Sequence, residues 1–293
     1  MKRFVLVTAT VLLTAACGSK HKGTYETEAA ANATEAAPAD PTVDLTKAED
    51  LWALRADATK LQEALDLYAG VVANDASNTE ALLRLTRGYY FLGDAHKAEM
   101  DDKLVAWDKA ISFGKQCMGQ NATFASLIEK GEGEDEAARA LEVSDVPCTY
   151  WTAAALGKWA KAQGLGTTLK NIPIAKAWMT RINELDGTYF YGGADRYWGA
   201  YYAAIPSFAG QDLALSKEYF DKAIAAHPNH FGNRVLLADY WATRTQDVAT
   251  FDTQLKHVLS QPVDVIPDLI PEQEAEVRKA RELMAKRDEL FLQ

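Results

Sequence analysis

The reading of the chain turns on residues 189–228, YFYGGADRYWGAYYAAIPSFAGQDLALSKEYFDKAIAAHP. In its first half, Tyr197-Trp198-Gly199 followed by Tyr202 sets large side chains about one helical turn apart around a glycine. In its second half, Ser216, Phe220, Ala223 and Pro228 place a small residue, an aromatic, an alanine and a closing proline at helical spacing. The pattern predicts two antiparallel helices. Gly199 lets the partner helix approach, and Trp198, Tyr202 and Phe220 fill the seam. One such hairpin cannot bury its apolar face alone, so further copies are expected beside it.

These positions resemble those of a tetratricopeptide (TPR) unit, and similar spacings recur along the chain. Leu51, Leu54, Ala58, Leu61, Leu65, Tyr68 and Val72 mark one face of a single long helix starting near Lys47. Leu82, Leu85, Thr86, Tyr89 and Gly93 follow in phase. Their partner helix carries Trp107 and Ala110, after extra residues near His96 to Met100. A third unit starts at Pro147, with Leu156-Gly157 on its first helix and Ala175, Met179 and Ile182 on its second. Pro173 is expected near the start of that second helix, where its missing N–H costs nothing. A fifth first helix, residues 230–243, carries Ala238 and Trp241; Phe251, Leu255 and Val258 mark its partner. A charged helix over residues 272–290 is expected to cap the stack. The fold class is therefore all-α, a solenoid of stacked TPR-like hairpins over residues 47–293. An irregular insertion interrupts it at about residues 116–146, with short helices expected near 123–128 and 135–141. Its acids Glu132, Glu134, Asp135 and Glu136 lack the alternating ligands of a calcium loop and read as solvated.

Residues 1–16 read as a signal peptide, with Lys2 and Arg3 ahead of a short apolar run. Leu13-Thr14-Ala15-Ala16-Cys17 resembles the lipobox of bacterial lipoproteins, implying cleavage before Cys17 and acylation of its sulfur and amine; the alternative is an ordinary leader with an incidental cysteine. Two or more acyl chains anchor a protein stably. Gly18 and Ser19, with no Asp after the Cys, favour the outer membrane. Residues 17–46, rich in Ala, Thr, Glu and Pro, read as a disordered tether that lets the folded domain stand off the bilayer. Cys117 and Cys148 remain, either as a disulfide or as two buried thiols. A bond would contribute about 3–4 kcal/mol in the chain-entropy model.

The whole chain carries a net charge of −10, and loss of Lys2 and Arg3 makes it −12, which argues against nucleic acid as a partner. No nucleophile with a partnered base and no phosphate-binding glycine loop is present, so the chain does not read as an enzyme, and nothing in it calls for a cofactor or a metal. His227 and His230, flanking Pro228-Asn229, read as solvated turn residues.

Beyond generic repeats, Tyr150-Trp151, Leu156-Gly157 and Trp159 are followed by Met179, Arg181-Ile182 and Leu185-Asp186. Then come Tyr191-Gly192-Gly193, Gly199-Ala200-Tyr201-Tyr202 and Pro206. This series resembles the T component of tripartite ATP-independent periplasmic (TRAP) transporters. The insertion and the Cys117/Cys148 pair are not features of that family. The resemblance implies a periplasm-facing accessory lipoprotein that binds a periplasmic solute-binding protein and passes a small, chiefly apolar ligand. A repeat scaffold for outer-membrane protein assembly is the rival reading. First helices of such repeats line a concave face, which here makes Arg84, Arg87, Tyr90, Trp151, Lys158, Arg196 and Tyr197 candidates for binding a carboxylate ligand or an acidic partner segment. For the aromatics the alternative is packing between repeats, and for the cations it is balance by neighbouring acids. Self-association into a homo-oligomer stays open.

Overall fold

The computed structural model describes residues 20–21 and 45–291; the leader, Cys17 and most of the tether lie outside them. Among the described residues there is no strand. The expected single helix from Lys47 is two, α1 (Leu45–Ala53) and α2 (Ala58–Asn74). The reason is local. Asp57 caps α2, its carboxylate accepting from the N–H groups of Thr59 and Lys60 at 2.7 and 3.1 Å, and this leaves Leu54 exposed on the turn.

The next hairpin joins α3 (Thr79–Phe91), prolonged by a π-turn at Leu92–His96, to α4 (Met100–Met118). Leu82, Leu85, Thr86, Tyr89, Trp107 and Ala110 are all buried, as their spacing requires. The insertion holds α5 (Ala122–Glu129) and the short α6 (Glu134–Ala137). Its acids are not simply solvated, because Glu134 pairs with the buried Lys115 and Glu132 with Arg139. Cys117 at the end of α4 is joined to Cys148 at the start of the next first helix, with Cα atoms 6.0 Å apart.

The third hairpin is α7 (Val146–Ala162) and α8 (Leu165–Asp186). Pro173 is not at the start of α8 but inside it, where it removes the bond to the Leu169 carbonyl; the helix starts earlier, directly after the turn at Gly164. The fourth is α9 (Tyr189–Ala204) and α10 (Leu213–Ala226). Here a Cβ on Gly199 would lie 2.7 Å from the Phe220 ring, and the Ser216 hydroxyl donates to the Gly199 carbonyl at 2.6 Å. The small residue and the aromatic thus meet as the sequence implies.

The last repeat combines α11 (Phe231–Leu236, extended by a π-segment at Leu237–Ala242) with α12 (Val248–Ser260). Two buried clusters result, one running from α1 to α9 and one formed by Phe231, Val235, Phe251, Leu255, Val258 and their neighbours. The C-terminal α13 (Ile270–Ala285) joins them, giving Ala275 to the first and Val277 and Ala280 to the second. It is more than a terminal cap. Glu272 accepts from Arg55 at 2.7 Å and from Arg87 at 2.7 Å, and Lys279 reaches Asp94 at 2.6 Å. The end of the chain is thereby docked on its beginning. No helix of the described residues is long and apolar enough to cross a membrane.

Candidate functional site

The first turn of α9 is left-handed. Phe190, Tyr191 and Gly192 have φ of 46°, 56° and 74°, a conformation that costs a non-glycine residue about 1–2 kcal/mol. Arg196, one turn on, holds it. Its guanidinium donates to the Phe190 and Tyr191 carbonyls at 3.3 Å each, to Asn233 Oδ1 at 2.7 Å and to the Tyr150 hydroxyl at 2.6 Å. The Tyr191 ring stacks on His230, with centroids 5.5 Å apart. His230 is therefore buried, not the solvated turn residue the sequence suggests, and burial together with Arg196 holds its imidazole well below the ordinary histidine range.

This turn aims Phe190 at the middle of the fold. Its ring meets Trp151 edge-on at 4.5 Å, and Trp151 in turn contacts Tyr90 at 5.2 Å. The Arg87 guanidinium stands over Trp52, Trp151 and Phe190 at 5.3, 5.3 and 5.1 Å. Together they form an aromatic wall between two hollows. On one side, a trough of about 1100 Å³ runs between the α1–α2 turn, the start of α9 and the Pro267–Leu269 turn.

On the other side lies a cavity of about 330 Å³ between α7, α8, α9 and the π-segment after α11. Its sides are apolar, from residues such as Ala154, Ile172, Met179, Ala200 and Leu236. Polar atoms enter from Tyr90, Lys158, Arg196 and Tyr197, and Tyr240 and Lys161 also line it. Burial raises the phenol pKa of both Tyr90 and Tyr197. Leu165 of the lining is exposed at 51%, Ile205 and Pro206 also line the cavity, and Phe208, two residues beyond Pro206, is exposed at 77%.

Next to Tyr90 lies a partly buried ion network. Asp94 accepts from Lys158 at 2.7 Å and from Lys279 at 2.6 Å. Burial works to raise the Asp94 carboxyl, but the two ammonium groups outweigh it and hold the pKa well below the usual carboxylate range. Lys158 and Lys279 are correspondingly raised by Asp94 against the opposing effect of burial.

Of the candidates named from the sequence, Tyr90, Lys158, Arg196 and Tyr197 come together at the cavity. Arg84 and Arg87 line the trough instead, and Trp151 is buried in the wall between. The set does not form one cationic face. Arg84 makes two bonds of 2.8 Å to Glu49, Arg87 pairs with Glu272, and Lys158 pairs with Asp94. Acids of the chain itself neutralise these three cations. Arg196 has no carboxylate in ion-pair range among the described residues and is satisfied by neutral acceptors. Sequence reasoning missed Asp94, Tyr240 and Lys279. Asp94 directly follows the in-phase Gly93, but nothing in the local pattern announces a partner 185 residues away.

With this geometry in hand, comparison with protein families matches the chain to the model of the TRAP transporter T-component, over residues 58–291. The chain belongs to the TRAP transporter T-component family. The matched region runs from the start of α2 to the end of the described chain and so includes the cavity, the left-handed turn and α13, whereas the α1–α2 side of the trough precedes it. No curated protein matches the chain. Membership makes this T component an accessory part of a transport system in the bacterial envelope, associated with other TRAP components; the family is not known for catalysis.

Proposed function

We propose that this T component is a periplasm-facing lipoprotein, anchored through Cys17, that binds a periplasmic solute-binding protein and holds a small, chiefly apolar ligand in the cavity between α7, α8 and α9. The observation that carries the ligand part is an apolar chamber of about 330 Å³ with a few convergent polar groups. Small-molecule sites commonly have this size and make-up. Arg196, a buried cavity-lining cation that no carboxylate among the described residues balances, favours an anionic end of such a ligand nearby through its charge.

The partner reading moves away from the residues first suggested by the sequence. Trp151 is 4% exposed and cannot present a docking face. The exposed Leu165 of the cavity lining, and the exposed Phe208 two residues after the lining Pro206, suit a partner that delivers or receives a ligand there. In-cell crosslinking followed by purification and mass spectrometry tests this. A solute-binding protein should be recovered with the native chain and at least about tenfold less with Phe208→Asp, while thermal stability stays within about 0.5 kcal/mol, as for most exposed sites. Equal recovery from both, or recovery of outer-membrane assembly factors alone, contradicts the reading.

A further inference from the structure

His21 is buried against the body, although α1 does not begin until Leu45. The His21 ring is buried between α4 and α7. Its Nε2 lies 2.8 Å from Asp108 Oδ1, and the ring meets Trp159 edge-on at 5.0 Å. Its carbonyl accepts from Lys115 Nζ at 3.5 Å. The side of α4 that carries Asp108 also exposes apolar residues. Val105, three residues before it, is 59% exposed, and Met100, two turns before it, is 50% exposed.

We propose that His21 is a latch that holds the lipid-bearing end of the chain on α4, so that the α4 face with Met100, Val105 and Asp108 lies against the bilayer. This rests on acylation of Cys17 as proposed above. The argument is one of reach. Cys17 precedes His21 by four residues, which span at most about 14 Å when fully extended, whereas the 28 residues from Cys17 to Leu45 could span roughly 95 Å. With His21 docked, an acyl group on Cys17 cannot be far from the α4–α7 seam. The body is then held close to the membrane in one orientation, in place of standing off on a long tether. The exposed Met100 and Val105 next to the latch suit lipid contact. The α9–α10 connection, where Phe208 stands exposed, is left to a protein partner.

The full-length lipidated chain in phosphatidylethanolamine–phosphatidylglycerol vesicles provides the test. The intact mass first reports whether Cys17 carries acyl chains. A short bismaleimide should then join Lys20→Cys to Val105→Cys, a pair that leaves His21 and Asp108 in place, but not Lys20→Cys to Lys256→Cys. Next, a fluorophore on Val105→Cys should be quenched several-fold more strongly by brominated lipid than one on Lys256→Cys of α12. That contrast should vanish when His21→Ala and Asp108→Ala are combined; Asp108 is half exposed, so the fold should survive the change. Acylated protein with no crosslink, or with equal quenching at the two positions, overturns the latch. Protein without acyl mass overturns the lipoprotein reading instead.

Discussion

Two glycines on neighbouring first helices have opposite jobs. At Gly199 an added methyl would sit 2.7 Å from the Phe220 ring, so Gly199→Ala should destabilise by about 1–3 kcal/mol in chemical unfolding. At Gly157 the nearest atom to an added Cβ is Tyr197 Cε2 at 3.8 Å, and Gly157→Ala should stabilise by about 0.5–1 kcal/mol through helix propensity alone. Gly199 could be read from the sequence, because an aromatic-Gly pair facing a Ser–Phe–Ala helix implies close approach. Gly157 could not, because its free space belongs to a cavity built by three other helices. His230 gives a titration test. Its folded pKa is depressed, so the unfolded chain binds a proton that the folded chain does not. That contribution is complete above the ordinary histidine value of about 6.5 and is lost as pH falls below it. Stability measured from pH 7.5 to 5.5 should drop by up to about 1.4 kcal/mol per unit, and His230→Asn should flatten that slope.

At the scale of elements, the hairpins from α3 to α12 were legible because each buries one stripe with a 3.6-residue period. What escaped was set elsewhere. The break between α1 and α2 depends on a single cap at Asp57, which leaves the apolar spacing unchanged on either side. The left-handed start of α9 is imposed by Arg196 and Asn233 on the carbonyls of an aromatic run. The docking of α13 rests on ion pairs spanning 185 and 217 residues, for which no local pattern exists. Glu272 is the centre of that contact, its side chain 14% exposed between Arg55 and Arg87. Glu272→Ala leaves two guanidinium groups without their carboxylate and should cost about 3–5 kcal/mol. Hydrogen exchange should then quicken in α13 and α1 before it does in α4 or α7.

For the whole molecule, the sequence implied an open stack with a concave basic face. The structure instead has a stack whose C-terminal helix α13 returns to its first, with three of the four expected cations neutralised by the chain's own acids and an aromatic wall dividing two hollows. The helical class followed from local spacing and the family from the resemblance carried by the motifs between Tyr150 and Pro206; four of the seven candidate residues line the cavity. The cavity itself did not follow, because its walls are drawn from four helices that meet only in three dimensions. The central claim is that this cavity holds the ligand of an accessory transport component. The most direct measurement is native mass spectrometry of the protein purified from its own envelope, comparing the native chain with Gly157→Leu. That substitution fills the space beside Tyr197 without a backbone clash. A small molecule carried by the native chain and reduced at least tenfold in Gly157→Leu, with the fold intact, is the predicted result. A bound molecule retained equally by both, or none in either, would contradict it.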